Sequence, residues 1–290
     1  MRLSKEEKRS LQLKILEIIK YIDAFCNENN IEYYIIYGSC LGAVRHKGFI
    51  PWDDDMDIAM TEDNYFKFIK AFEQSGNKEK YYLQRPGKEK DYYLSFSKLR
   101  DITTTLVEEN NKDKNITYGV YIDIFPLIGV PKNKIKRNIL KINRAFLLSA
   151  NINVINNKFL KSISKIIIKL IGKERVIKYC QKNCFKYKTK DYDEWLSLCD
   201  GDGFNLNLNM KEVYGKPLYV EFENTMLPIP RKYDEYLTHI YGDYMKIPSE
   251  KDIEKKEHTP YYMNLNLPYK EYIKLKKSKK DMENIYNDKN

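Results

Sequence analysis

Histidine and tryptophan are scarce in this chain, three of one and two of the other, and there are only five cysteines. A zinc centre built from His and Cys therefore has little to draw on. Cys180 and Cys184 are four apart and share a face if helical, but no partner pair for them can be pointed to. His239 and His258 show no ligand spacing and read as structural. The cysteines (Cys26, Cys40, Cys180, Cys184 and Cys199) are odd in number and widely spread. That argues against a disulfide framework and makes reduced thiols the expectation. No apolar run approaches the roughly 20 residues that span a bilayer. The opening MRLSKEEKRSLQLKIL lacks the uninterrupted apolar stretch of a secretory signal, so a cytoplasmic location is expected. Acidic residues are nearly missing between Lys132 and Lys190, where 17 Lys/Arg face a single acid, Glu174. The net charge of +10 therefore divides into +16 for that segment and −6 for the remainder.

At 290 residues the chain suits one large domain or two small ones, long enough for a sizeable core. There is no internal repeat. Residues 4–29 read as an amphipathic helix, with Ser4 and Glu7 as a capping box and Leu11, Ile15, Ile18, Ile22 and Phe25 at helical spacing. Residues 32–37 (EYYIIY) read as a buried strand, and Gly38-Ser39 as a turn into a short helix over roughly 40–46. A second strand is predicted over 55–60 and a helix over 63–75, with Phe66, Ile69 and Phe72 on its apolar side. Further strands are predicted near 81–84, 92–100, 104–108 and 120–125, with Pro126 ending the last. Residues 228–248 read as a Pro-bounded helix with Tyr233, Tyr236, Leu237 and Ile240 as its stripe. The order of elements implies an α/β (α+β) core. The divisions are an N-terminal helix over 1–30, a core over 31–131, and a basic helical region over 132–190. A closing part over 191–260 and a polar, flexible tail over 261–290 complete the chain.

One short segment gathers charge where charge is expensive. In YGSCLGAVRHKGFIPWDDDMDIAM, Asp53, Asp54, Asp55 and Asp57 fall within five positions, at the entrance to an apolar strand. Residues two apart in a strand share a face, roughly 6.6 Å apart. Asp55 and Asp57 thus lie side by side, and each raises the other's pKa unless a cation sits between them. Oxygen-only ligands favour Mg2+ or Mn2+, with phosphate filling part of the shell. Gly38 lets backbone approach a ligand, and Ser39 falls where a helix N-cap would be, so the N–H groups that follow can hold a phosphate. Asp123, the sole acid in the apolar GVYIDIFPL, is the candidate third carboxylate, since an unpaired buried carboxylate is costly. Lys98 and Arg100 share a strand face and can contact phosphate oxygens.

Plainer readings stand beside these. DDDMD is a solvated turn if the alternation into MDIAM is ignored. Asp123 is then a satisfied core aspartate, and Lys98 and Arg100 a surface ion pair. Arg45 and His46 either cap the short helix or contact substrate. Asp53 and Asp54 shape the loop, with Asp53 in phase to support the other two.

The segment GSCLGAVRHKGFIPWDDDMDIAM, followed in order by FSKLRD, YIDIFPL and PIPRKYDEYLTHIYGDYMKIP, resembles the LicD family of phosphocholine transferases, which in turn resembles fukutin-related protein. The resemblance covers roughly residues 15–260 and is specific through the combination of blocks. It implies a nucleotidyltransferase-type fold, a mixed β-sheet flanked by helices, with the basic helical region as an addition. It also implies transfer of a phospho-alcohol from a CDP-linked donor to a hydroxyl of a cell-surface glycan or its lipid-linked precursor. By position, Gly38 and Ser39 match the donor-phosphate turn, Asp55 and Asp57 the metal pair, and Asp123 the third carboxylate. Lys98 and Arg100 fall in a block where basic residues are usual. Ser39 stands where Thr is common and keeps the hydroxyl. Ile128 stands where an acid is often seen, which removes a carboxylate just beyond the strand.

The mechanism expected from this is in-line attack of the acceptor hydroxyl with loss of CMP, on a Mg2+-bound diphosphate. Transfer of NMP by a true nucleotidyltransferase is the alternative chemistry. A non-catalytic binder of membrane surface or nucleic acid, built on the basic segment, is the alternative of another class. Nucleic acid is not expected as a partner, because the basic stretch is apolar-patterned and carries no reader motif. The lysine ladder Lys161, Lys165, Lys169 and Lys173 reads equally as a peripheral contact with an anionic membrane, at its inner face, or as the solvated stripe of a packed helix.

Overall fold

The computed structural model describes residues 3–151, 166–198, 210–254 and 259–287. Helix α1 (Lys5–Glu28) begins at the expected capping box: Ser4 Oγ accepts from Glu7 N–H while the Glu7 carboxylate accepts from Ser4 N–H. Strand β1 (Tyr34–Ile35) leads into helix α2 (Tyr37–His46), strand β2 (Asp57–Thr61) and helix α3 (Glu62–Ser75). Strands β3 (Tyr81–Gln84), β4 (Ser97–Asp101), β5 (Thr105–Glu108) and β6 (Val120–Gly129) follow. Strand β7 (Trp195–Ser197) joins the same central sheet, which runs β1-β2-β6-β4-β3 with β7 also on β6. Among the described residues only β2 and β6 are parallel; the other pairs are antiparallel, giving the mixed sheet of an α+β fold.

The two faces of this sheet differ in chemistry. Ile58, Ile122 and Ile124 point to one face and join Ile15, Ile18, Ile19 and Ile22 of α1 and Phe68 and Phe72 of α3 in the main core. Asp57, Asp123, Tyr121, Lys98 and Arg100 point to the other, as the period of two requires.

Several local expectations shift. Strand β6 runs through Pro126 instead of stopping there. Strand β4 ends its pairing at Ser97 opposite Ile124, and β7 begins at Leu127. The Pro126 carbonyl accepts from Leu198 N–H on that same side, so the missing proline N–H falls at the changeover, where no ladder bond is lost. In α3 the buried apolar side chains are Tyr65, Phe68, Ala71 and Phe72, while Phe66 is exposed; the stripe is rotated from the one expected. Residues 92–96 are not part of β4.

The tail is also structured where the sequence reads as polar. Strand β10 pairs with β5, after the hairpin of β8 (Leu218–Phe222) and β9 (Thr225–Ile229); β10 spans Pro260–Asn264. The final helix (Tyr269–Asn287) places Tyr272 against Tyr92, Val107, Ile116 and Tyr118 in a separate small core. Tyr262 stacks on Tyr272 at 4.8 Å. The helix at Tyr233–Tyr241 buries Tyr236 and Leu237 and half-buries Tyr233 and Ile240, the stripe read from sequence.

In the basic region, helix α4 (Lys134–Asn151) packs against helix α5 (Lys173–Phe185). Their shared core contains Leu140, Leu147, Val176, Ile177 and the free thiols Cys180 and Cys184, with Ile128 of β6 and Val130 just beyond it. Burial in this core pushes Cys180 up to about 11 and Cys184 up to about 12. Lys161 and Lys165 of the lysine ladder lie outside the described residues, as does Cys199.

Candidate active site

A lateral row of side chains crosses three neighbouring strands. Asp57 of β2 is the register partner of Asp123 of β6, and Asp123 is the partner of Lys98 of β4. Residues paired in register share a face, so two carboxylates and an ammonium stand in line. Lys98 Nζ is 2.9 Å from Asp123 Oδ1 and donates to Oδ2 at 3.3 Å. Asp123 Oδ1 is buried yet accepts no aligned hydrogen bond. Lys98 Nζ also lies 3.5 Å from the centre of the Tyr121 ring, a cation–π contact beneath the row.

The charges do not balance within the protein. Burial drives the Asp57 carboxyl well above the usual range, and the charges of Asp55, Asp123 and Asp53 push it further against the pull of Lys98. Burial also raises Asp123, to about 6, even though Lys98 opposes it; Glu108 and Asp55 add to the rise. Asp55 precedes β2 rather than lying in it, but its charge acts on both strand carboxylates. Among the described residues, the carboxylates that converge within 4.8 Å of one another are those of Asp53, Asp54 and Asp55. Asp53 and Asp54, read from sequence as loop-shaping, thus close on Asp55, whereas the expected set Asp55, Asp57 and Asp123 does not converge to that distance; Asp53 and Asp55 act on Asp57, and Asp55 on Asp123, through their charge. Several carboxylates against one ammonium, with a buried oxygen lacking an aligned donor, fit a divalent cation held by oxygen ligands.

The Gly38-Ser39 element differs in detail from expectation. Helix α2 starts at Tyr37, with Ile36 as its cap and no side-chain capping bond. Ser39 therefore sits inside the first turn, and its Oγ accepts from Asp57 N–H at 2.9 Å. It anchors the backbone of the metal-candidate residue rather than capping its own helix. A Cβ on Gly38 would lie 2.7 Å from Asp53 Oδ2, so a side chain there would displace that carboxylate from its position beside the helix start. Tyr37 adopts φ 48°, the left-handed region, and its N–H donates to the Tyr236 hydroxyl at 3.2 Å. Non-glycine residues held there carry strain, and such residues concentrate at functional sites.

The remaining sequence-predicted residues fall into two groups. Arg100 is fully buried: Nε donates to Gln84 Oε1 at 2.7 Å and NH1 to the Gly119 carbonyl at 2.9 Å, with NH2 3.5 Å from Glu108. It faces inward to Glu108, on the same side of the sheet as Lys98. Arg45 Nε donates to His46 Nδ1 at 3.4 Å. Helix α2 ends on Lys47 in the left-handed conformation. Arg45 NH1 donates to the carbonyls of Tyr244, at 2.7 Å, and Lys246, at 3.3 Å, tying α2 to the segment after residue 241. The His46 ring meets Trp52 edge-on at 6.0 Å. Burial and the neighbouring Arg45 lower His46, which favours the neutral ring.

Sequence reading missed Glu108. This carboxylate, at the end of β5, lies 3.6 Å from Lys98 and 3.5 Å from Arg100 and accepts from the Tyr121 hydroxyl at 2.9 Å. Burial works against its ionisation, but Lys98 and Arg100 override that and hold it at about 2. The only signal in the sequence is an acid following three strand residues, TLV, which is weak. Tyr241 was missed as well; burial raises its phenol, and the charges of Asp53, Asp57 and Asp55 raise it further, which places it by the acidic patch.

The chain is similar to known proteins. Residues 30–161 match the family described as LicD/FKTN/FKRP, nucleotidyltransferase domain. The chain is 31% identical over 266 residues to the lipopolysaccharide cholinephosphotransferase LicD of Haemophilus influenzae, covering 86% of this chain and 95% of that one. An uncharacterised protein of Rickettsia typhi is 33% identical over 124 residues, 41% of this chain and 36% of its own. An uncharacterised protein of Rickettsia prowazekii is 43% identical over 67 residues, 22% of this chain and 25% of its own. The matched family segment contains every member of the Asp57–Asp123–Lys98 row, and the chain belongs to the LicD family.

Proposed function

We propose that this chain transfers a phospho-alcohol, phosphocholine in the first instance, from a CDP-activated donor to a hydroxyl of a cell-surface glycan or its lipid-linked precursor. The observation that carries the reading is the Asp57–Asp123–Lys98 row, where carboxylates face each other with too little positive charge. The family supports the chemistry, since its Haemophilus member is named as a lipopolysaccharide cholinephosphotransferase.

Asp55, Asp57 and Asp123 are assigned to hold Mg2+ or Mn2+, with Asp53 and Asp54 beside them. When bound, the ion supplies charge neutralisation to a diphosphate and polarises the phosphoryl oxygens. The chain's own groups do the rest. Ser39 fixes the backbone at Asp57, and Lys98 fixes the carboxylate of Asp123. Asp123 either completes the shell of the ion or takes the proton of the attacking hydroxyl. The acceptor oxygen forms a bond to the phosphorus bearing the alcohol, the bond from that phosphorus to the bridging oxygen breaks, and CMP leaves with the electron pair. Positioning and charge stabilisation suffice for such a transfer, and no covalent nucleophile is required.

No helix among the described residues is long and apolar enough to cross a membrane. A cytoplasmic location accords with a nucleotide-activated donor. The test is a screen of CDP-linked alcohols for CMP release dependent on Mg2+, with Asp57→Asn as control and mass spectrometry of the acceptor. Addition of a phospho-alcohol supports the reading. Addition of a nucleotide, or unchanged turnover in the variant, overturns it.

A further inference from the structure

Helix α4 presents two unlike faces. Leu140, Asn143, Arg144 and Leu147 are buried inward, toward α5 and β6. Ile135, Ile139 and Ile142 are exposed at 72%, 42% and 51%. Their spacing of four and three residues sets them on one stripe along the helix. The first turn is secured, because Asn133 Oδ1 accepts from the N–H groups of Ile135 and Lys136 at 3.0 and 3.1 Å. The stripe is therefore a built surface, presented from the first turn onward. Lys134 and Lys136 are exposed beside it. The helical residues 166–171 repeat the pattern, with Ile166, Leu170 and Ile171 exposed around an exposed Lys169.

Three branched aliphatic side chains adjacent on one exposed helix face are unusual for a surface that meets only water. Among the described residues, seven of the sixteen exposed large apolar side chains lie between Ile135 and Tyr179. The same stretch falls in the segment that carries +16 while the rest of the chain carries −6. That charge selects the occupant. A second copy of the chain would bring two strongly basic segments together, which like-charge repulsion opposes. An anionic lipid surface accepts both the aliphatic stripe, into its interfacial layer, and the lysines, at its headgroups.

We infer that the outward face of α4, centred on Ile135, Ile139 and Ile142, docks this protein peripherally on an anionic bilayer. The assignment does not depend on which alcohol is transferred or on the identity of the catalytic groups. Docking restricts the enzyme to the surface where a lipid-linked acceptor would reside.

The experiment is sedimentation of the full chain with vesicles of phosphatidylcholine alone or mixed with phosphatidylglycerol. Two variants are compared, Ile135→Asp with Ile142→Asp, and Lys134→Glu with Lys136→Glu. These side chains are exposed, so both variants should keep the wild-type melting temperature and CMP release on a soluble acceptor. Binding is expected only with phosphatidylglycerol, weakened on the order of tenfold in each variant, and reduced by salt. The inference is overturned by equal binding to neutral vesicles, by no binding to anionic ones at low salt, or by variants that bind like wild type. A wild-type dimer that the isoleucine variant dissociates, without vesicle binding, assigns the stripe to self-association and likewise overturns it. If the isoleucine variant proves unstable, the lysine variant decides alone.

Discussion

Lys98 and Asp123 are register partners on β4 and β6, and the ammonium lies 2.9 Å from Asp123 Oδ1. The same ammonium lies 3.6 Å from Glu108, which reaches in from a different sheet. One lysine thus joins the acidic patch to the scaffold that surrounds it.

Lys98→Met removes the cation that fixes Asp123 while keeping the length of the side chain. Outer partners of metal-holding groups typically contribute tenfold to a hundredfold. Turnover should fall by about that factor, and the Mg2+ concentration for half-maximal rate should change with it. Steady-state kinetics across a Mg2+ titration provides the check. An unchanged Mg2+ response would remove Lys98 from the site.

Glu108 governs stability in acid. Its folded pKa of about 2 lies below its ordinary value of 4.5, so the unfolded state binds its proton more readily. The stability it contributes is present above pH 4.5 and is lost as the pH falls toward 2. Glu108→Gln should lower the melting temperature at pH 7 and flatten its dependence on pH across that window. A melting-temperature series in acid, wild type against variant, measures this; parallel curves would contradict it.

Asp57 and Asp123 have the opposite sign. Raised carboxyls favour the protonated folded form, so the metal-free protein loses stability as the pH rises, through about 6 for Asp123 and over a range likewise displaced upward for Asp57. A divalent ion that binds only the folded state adds about 2.7 kcal/mol at a hundred times its Kd. Mg2+ should therefore raise the melting temperature more at pH 7 than at pH 5, and Asp57→Asn should abolish most of the effect. Calorimetric scans at both pH values test it; an equal Mg2+ shift in the variant places the ion elsewhere.

Removal of residues 260–290 should damage the site from a distance. Strand β10 is the partner of β5 among the described residues, and β5 ends in Glu108. Tyr272 covers Tyr118 and Val107 in the small core. The truncated chain should melt at a lower temperature and lose activity together with the Glu108 contacts. A fully active truncation would show that the tail leaves Glu108 in place.

Much of the local structure was legible in the sequence. The capping box at Ser4, the stripe of α1, and the acid alternating with apolar residues around Asp57 depend on near neighbours alone, and those are what a sequence displays. Pro126 misled because its effect depends on which strand lies beside it. Its gap between β4 and β7 is a property of the sheet. Ser39 misled for a similar reason: its hydroxyl serves Asp57, eighteen residues away, and not its own helix.

By itself, then, the sequence determined which residues could not be left in an ordinary core. Asp57 and Asp123 interrupt apolar strands, and burying such charge without compensation is prohibitively costly. Tertiary structure alone decided how that cost is met. Register between strands far apart in the chain set Asp57 on one side of Asp123 and Lys98 on the other, and the pairing of β5 with the C-terminal strand set Glu108 against Lys98 and Arg100. Such alignment arises from the packing of whole sheets, which no window of neighbouring residues contains.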